Sequence, residues 1–402
     1  MCVAALALQD YRVIVVGAGL FGATVAERLA NDAKIAVLVI DRRAHIGGNC
    51  WSQTDAATGI EYHPYGSHIF HTSSEDVWGY ITKFGKFTDY RHRVYTIHRG
   101  QVYAMPINLG TMCAFFGRTL TPAQARELIE RDVKSENIVN PANLEEKAIS
   151  LVGRPLYEAF IKGYTAKQWR TDPRLLPASI ITRLPVRLNF NADYFSDRYQ
   201  GLPRAGYAGL VGAMLSNKKI SIALSADFRE IGKLLSPRQL IVYTGPIDRY
   251  FDYRHGSLGW RTLDFQRETI RADDFQGTAV MNYADADVPF TRIHEFKHLH
   301  PERPYEPGRT LIAREFARSA GAADEPFYPI GTAQDQRIFR HYKDAAQATP
   351  NTIFAGRLGT YKYLDMHQAI GAALKCYKNR ILPYLSQHKP LATGGSEIEG
   401  VV

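Results

Sequence analysis

The chain has 402 residues, 45% of them apolar and 22% charged, and carries a formal charge of +9. That length exceeds what one hydrophobic core usually fills, so two or three sub-domains are expected in a soluble globular protein. No apolar run reaches the roughly 18–20 residues of a membrane span, and the basic balance comes without a block of like charge or a nucleic-acid motif, so scattered arginines point to discrete anion contacts instead. Cys2, Cys50, Cys113 and Cys376 show no C-x-x-C spacing. Neither a disulfide framework nor a zinc site is suggested, which favours a reducing cytoplasm.

In chain order, the opening "MCVAALALQD" lacks a basic n-region and runs into a strand, as a short leader does rather than a signal peptide. Val13 to Val16 form an apolar run typical of a strand buried on both faces. Gly17, Gly19 and Gly22 follow at G-x-G-x-x-G spacing. The first makes the tight turn, the second lets the backbone approach a pyrophosphate, and the third lets helix and strand pack closely, with the phosphates at the helix N-terminus. A second apolar strand, Ala36 to Ile40, ends in Asp41, nineteen residues after Gly22, where a carboxylate can accept from a ribose hydroxyl pair. "DRRAHIGGN" then brings Gly47 and Gly48, resembling the extended fingerprint of FAD proteins of the glutathione-reductase type and tilting the choice from NAD to FAD.

The segments 92–106, 183–200, 258–268, 278–299 and 309–318 alternate in strand fashion and predict an antiparallel sheet. Residues 104–182 read as a helical bundle: Thr121 caps a helix with Pro122 at its first position, and Asn143 to Glu146 has capping-box spacing. "GYTAKQW" (163–169) ends that series with too many polar and aromatic groups for a core, so Trp169 could cover a flat or sugar-bearing ligand. Residues 209–231 predict a helix then a strand, 240–251 a strand and turn, and 351–376 a strand, a glycine-bearing loop and a helix from about Asp365. Asp365 is a good N-cap, and a helix N-terminus stabilises negative charge on a reduced flavin; Arg357 could serve the flavin or its diphosphate. The fold class expected is α/β: a Rossmann-like FAD-binding domain (11–91, 201–250 and 326–385), a helical substrate-binding insert with a mobile loop (104–182), and an antiparallel sheet domain (92–103, 183–200 and 251–325).

"YGSHIFHT", "FIKGYTAKQW", "YFSDRYQGLP", "YTGPIDRYFDYR", "VPFTRIHEFKH", "EPFYPI" and "GRLGTYKYLDMHQ" together resemble one family, the bacterial UDP-galactopyranose mutases, over about residues 11 to 380. The resemblance implies an isomerase interconverting UDP-galactopyranose and UDP-galactofuranose through a reduced-flavin N5–sugar covalent adduct, with no net redox change. It implies Arg183 and Arg292 as the arginines gripping the UDP diphosphate, since guanidinium is always charged and binds phosphate bidentately. Phe160, Tyr164, Thr165, Trp169, Tyr194, Asn282, Tyr328 and Tyr363 would also bind substrate, with Tyr361 a weaker candidate, and His68 would be a flavin-side histidine on a mobile loop. The catalytic set implied is Arg183, Arg292 and His68.

For the cofactor the same resemblance implies Leu20, Phe21, Arg42, Asn49, Tyr65, Gly66 and Ser67 beside the fingerprint residues already named, with Phe228, Thr244, Gly245 and Met366 later in the chain. Alanine often replaces Ser67 in the family pattern, and an aromatic often replaces Leu364. His63, His71, His294, His298 and His300 have no ligand-like pattern; "HEFKHLH" falls in a predicted strand, and no metal is expected. NAD(P)H is the obvious reductant, a homodimer the suggested assembly, and galactofuranose for a cell-surface polysaccharide the implied product use. One rival is an amine-oxidase-like flavin oxidoreductase. Another is a non-catalytic protein on the same fold, like the guanine-nucleotide dissociation inhibitors, which purify colourless.

Overall fold

The computed structural model describes residues 7–181, 186–321, 323–387 and Leu391, so part of the leader and Arg183 lie outside the described residues. In chain order, the strands of its two large sheets are β1 (Val13–Val16), β2 (Val37–Ile40), β3 (Val94–His98), β4 (Gln101–Met105), β5 (Ile220–Ala223) and β6 (Leu240–Tyr243). There follow β7 (Trp260–Ile270), β8 (Val280–Tyr283), β9 (Arg292–Glu295), β10 (Thr310–Ser319), β11 (Tyr328–Pro329) and β12 (Thr352–Phe354).

The first sheet runs β12-β6-β1-β2-β5 and is parallel throughout. Val13, Val15, Val37 and Val39 pack on one face with the helices Leu20–Asn31, Gly206–Met214 and Met366–Cys376, while Ile14, Val16, Leu38 and Ile40 bury the other. Burial on both faces is why these strands lack polar alternation. The chain leaves β1 towards β2 and later returns to its other side as β6. Strand order therefore reverses at β1, and the crevice beyond its carboxyl end is where open α/β sheets take ligands.

The second sheet runs β11-β7-β10-β9-β8-β3-β4. It is antiparallel except where β3 lies parallel to β8, so the antiparallel sheet expected from the sequence is a mixed one. β3 and β8 come from separate excursions of the chain, and no hairpin fixes their direction. The helical insert folds on Met112, Leu128, Ile149 and Tyr157. Both N-caps form: Thr121 Oγ1 accepts from Gln124 N at 3.3 Å, and Asn143 Oδ1 accepts from Glu146 N at 3.0 Å, while the Glu146 carboxylate accepts from Ala142 N at 2.7 Å in place of the reciprocal bond of a capping box.

Two strand expectations fail. In the described part of 183–200, Tyr199 opens the strand Tyr199–Gly201, and Arg187 makes an isolated bridge to Asn108. Asn189 Oδ1 accepts from Asn191 N at 3.0 Å, and Asn191 Oδ1 accepts from Asp193 N at 2.8 Å. Successive Asx turns thus compete with the ladder despite the alternating pattern. In "HEFKHLH" only His294 and Glu295 are on a strand, because Phe296–Leu299 closes into a 3-10 turn. His298 faces Asp274 at 2.7 Å and Glu295 at 3.3 Å, and these hydrogen bonds, Glu295 first, raise its pKa. Among the described residues no helix is long and apolar enough to cross a membrane.

Candidate functional site

A cavity of about 590 Å³ opens at the carboxyl end of β1 and continues to the second sheet. At its first end Gly17, with φ +107°, turns the chain out of β1, and Gly17 N donates to Ile40 O at 2.8 Å. The helix Leu20–Asn31 packs so near that a Cβ on Gly22 would lie 1.9 Å from Gly17 O. Asp41 Oδ2 accepts from Ala18 N at 2.7 Å and Oδ1 from Arg43 N at 2.8 Å, so the backbone presets the carboxylate at the end of β2. Arg42 and Arg43 pair with Glu325 at 2.5 and 2.6 Å, and the Arg43 guanidinium sits 4.5 Å over the Tyr65 ring. Thr244 Oγ1 donates to Val16 O at 2.7 Å, closing the turn against β6.

The middle of the cavity is lined by the loop Tyr65–His68 and by Arg357, Tyr363, Asp365 and Met366. Burial pushes the His68 imidazole down to about 4, against the hydrogen bond of Nδ1 with Gly66 O at 2.6 Å. Burial is also the main influence on Arg357 and lowers its pKa, opposed first by Tyr363 and Tyr328. The helix Met366–Cys376 points its N-terminus here, with Asp365 N donating to Gln368 Oε1 at 2.9 Å.

The far end is built on the second sheet. Arg292 opens β9, and its guanidinium meets the Tyr164 hydroxyl on one side and Glu315 Oε1 at 3.4 Å on the other. Glu315 is 2% exposed; burial would raise its carboxyl, but Arg292, then His294 and Thr291, hold it down to about 2. Burial opposes the charge on Arg292, and Glu315 restores it, so the guanidinium pKa is raised. Ser67 Oγ lies 2.7 Å from His294 Nδ1, whose Nε2 lies 3.0 Å from Glu315 Oε2, which ties the His68 loop to this ion pair. Burial raises the phenols of Tyr164, Tyr328 and Tyr363, keeping them protonated donors. Asn282 Oδ1 is buried in the cavity wall with no hydrogen-bond partner among the described residues, which suits a ligand hydroxyl or amide.

The cavity brings together all of the cofactor residues expected from the sequence, from Gly17 to Met366. It also gathers Tyr164, Tyr194, Asn282, Arg292, Tyr328 and Tyr363 from the expected substrate set. Phe160, Thr165 and Trp169 stand outside its lining: Phe160 is core of the insert, edge-on to Tyr103 and Phe115 at 5.0 and 5.3 Å. Tyr361 is likewise set back, its hydroxyl donating to Gly259 O at 2.6 Å. Sequence reasoning missed Glu315, His294, His92, Arg43 and Glu325, all of which line the cavity. One signal was available for Glu315: it shares a strand face with Leu311, Ala313 and Ala317, and a carboxylate on an apolar face requires a buried cation.

Known proteins resemble this chain in sequence and in fold. The family model of UDP-galactopyranose mutase matches residues 159–363, and that of an NAD(P)-binding Rossmann-like domain matches residues 15–84. The chain is 42% identical to a Klebsiella pneumoniae protein described as a probable UDP-galactopyranose mutase, over 92% of this chain and 94% of that protein. It is 40% identical to dTDP-fucopyranose mutase of Escherichia coli, over 91% of this chain and 97% of the relative. In fold it resembles a crystal structure of reduced UDP-galactopyranose mutase, with a TM-score of 0.72 at 13% identity, over 97% of this chain and 96% of that one.

Proposed function

This chain belongs to the UDP-galactopyranose mutase family, a family of isomerases, and from that premise we propose that it interconverts UDP-galactopyranose and UDP-galactofuranose with bound, reduced FAD. The observation that carries the reading is the continuity of one cavity, from the glycine turn at Gly17 to the paired Arg292 and to Asn282, whose Oδ1 has no partner among the described residues. A dinucleotide at the first end and a nucleotide sugar at the second would meet in the middle, beside His68, Arg357 and Tyr363.

The residues present fit FAD. Gly48 comes so close to Gly19 that a Cβ on it would lie 3.1 Å from the Gly19 Cα, leaving backbone rather than side chains to face a diphosphate. Arg357 and the N-terminus of the helix Met366–Cys376 would face the flavin, where positive charge favours the reduced, anionic ring. When bound and reduced, flavin supplies the nucleophile for the anomeric carbon. The chain itself does the rest. Arg292, preset by Glu315 and Tyr164, holds the sugar-nucleotide diphosphate and stabilises the charge that grows there as the nucleotide departs. The family resemblance supports Arg183 as a second such arginine, and Phe160, Thr165 and Trp169 at the uridine end. Tyr328 and Tyr363 would donate to phosphate or sugar oxygens, and Asn282 Oδ1 would accept from a substrate hydroxyl. His68, neutral at pH 7, leaves Nε2 as an acceptor while Nδ1 is engaged by Gly66.

The resemblance and the lack of any C-x-x-C spacing support a cytoplasmic enzyme reduced by NAD(P)H, acting as a homodimer in galactofuranose supply for surface polysaccharide. The three-part division of the chain read from its sequence is also retained as a proposal.

A second reading has its own support, because the dTDP-fucopyranose mutase is 40% identical over almost the whole chain. That would change the nucleotide base and ribose and remove the sugar's C6 hydroxyl. Parallel assays of the dithionite-reduced protein with UDP-galactofuranose and dTDP-fucofuranose test both. The proposal expects kcat/KM to favour the UDP sugar by at least about tenfold, the worth of one matched hydrogen bond. The reverse ratio would transfer the assignment to the deoxysugar.

A further inference from the structure

The helix Gly163–Trp169 is fastened to the second sheet at three points. A Cβ on Gly163 would lie 2.3 Å from Ala284 O, so the helix backbone rests directly on the loop joining β8 to β9. The Tyr164 hydroxyl meets Arg292 at the start of β9. Lys167, only 8% exposed, donates Nζ to the carbonyl oxygens of Tyr283 at 2.7 Å, Asp285 at 2.7 Å and Phe290 at 3.1 Å.

An ammonium has three donors, and here all three are spent on one loop. Tyr283 and Asp285 lie on its outgoing limb and Phe290 on its returning limb, so a single charge ties the two limbs together. Immediately outside these limbs stand Asn282, at β8, and Arg292, at β9. Burial lowers the Lys167 pKa to about 8, while Asp285 and then Asp287 favour the cation, so the ammonium persists at neutral pH. Lys167 does not itself line the cavity and acts through the loop.

We propose that Lys167 is a positioning residue that pins the 283–290 loop to the helix Gly163–Trp169, so that Tyr164, Asn282 and Arg292 meet the nucleotide sugar as one preset unit. The assignment rests on the nucleotide-sugar reaction proposed above. Its energetic content is preorganisation: without the pin, the loop and helix must be ordered by the substrate, which weakens binding and leaves the chemistry of the bound complex largely intact.

The test is steady-state kinetics of the reduced holoenzyme with UDP-galactofuranose, with UDP binding by calorimetry and flavin content by absorbance. Two variants are compared with the parent, Lys167→Met and Gly163→Ala. Lys167→Met keeps the stem and removes the charge; KM and the UDP dissociation constant are expected to rise roughly tenfold to a hundredfold. Its kcat at saturation should stay within about threefold, with full flavin content. Gly163→Ala favours the helix by propensity but drives it off Ala284 O, so it should raise KM several-fold in the same direction. Unchanged KM and UDP affinity in either soluble variant would overturn the proposal, as would a loss confined to flavin content or kcat. If Lys167→Met does not fold, Gly163→Ala decides alone. A parent enzyme that converts no nucleotide sugar would sink the function itself, which is a different outcome from a normal parent with indifferent variants.

Discussion

Replacing Arg292 by alanine should lower kcat/KM on the order of a hundredfold to a thousandfold, the range for removing a charged group that meets developing charge in the transition state. Two roles meet in this guanidinium. It lines the end of the cavity proposed for the substrate diphosphate, and it is the main counter-charge of Glu315, which burial would otherwise push up. In the alanine variant Glu315 keeps its burial and loses that cation, so its carboxyl moves up from about 2, and His294 becomes its principal partner. Arg292→Lys restores charge but not the planar fork, and should recover only part of the activity. Kinetics on the reduced enzyme, with UDP titration of both variants, check this; activity and UDP affinity within about threefold of the parent would remove Arg292 from the diphosphate site.

Gly22→Ala should produce protein that purifies colourless or nearly so. The new methyl would lie 1.9 Å from Gly17 O and 3.0 Å from Val15 Cγ1, and both contacts belong to β1 and its turn. Backbone cannot rotate aside as a flexible side chain can, so the helix Leu20–Asn31 must retreat from the strand. Overpacking of this kind costs on the order of 1–3 kcal/mol, and the retreat also withdraws the helix N-terminus from the proposed cofactor diphosphate. Cofactor retention about a hundredfold weaker is the expected scale. Flavin absorbance per mole of purified protein measures it, and parent-like stoichiometry would contradict the assigned diphosphate turn.

How much of this was legible in the sequence depended on how local the cause was. Val13 to Val16, the three glycines and Asp41 form one continuous unit whose chemistry lies within about thirty residues, and it folds as read. The segment around Asn189 and Asn191 misled, because hydrophobic alternation was weighed there without the competing Asx turns. Partners distant in sequence were invisible. Lys167 meets Phe290 across 123 residues, and Arg42 meets Glu325 across 283. His294 had been set aside for want of a ligand pattern, and its role depends on Ser67 and Glu315, which only the fold brings beside it. Phe160 carries a further lesson. Its motif implies substrate contact, which is kept as a proposal, and the fold adds packing against Tyr103 and Phe115 that the motif did not reveal.

The central claim is that the reaction runs on reduced flavin without net redox change, and one preparation can test it. The same protein is assayed with UDP-galactofuranose, first fully oxidised and then after dithionite reduction under anaerobic conditions. UDP-galactopyranose should form only after reduction, with no flavin oxidised per turnover. Conversion at the same rate by the fully oxidised protein would contradict the account.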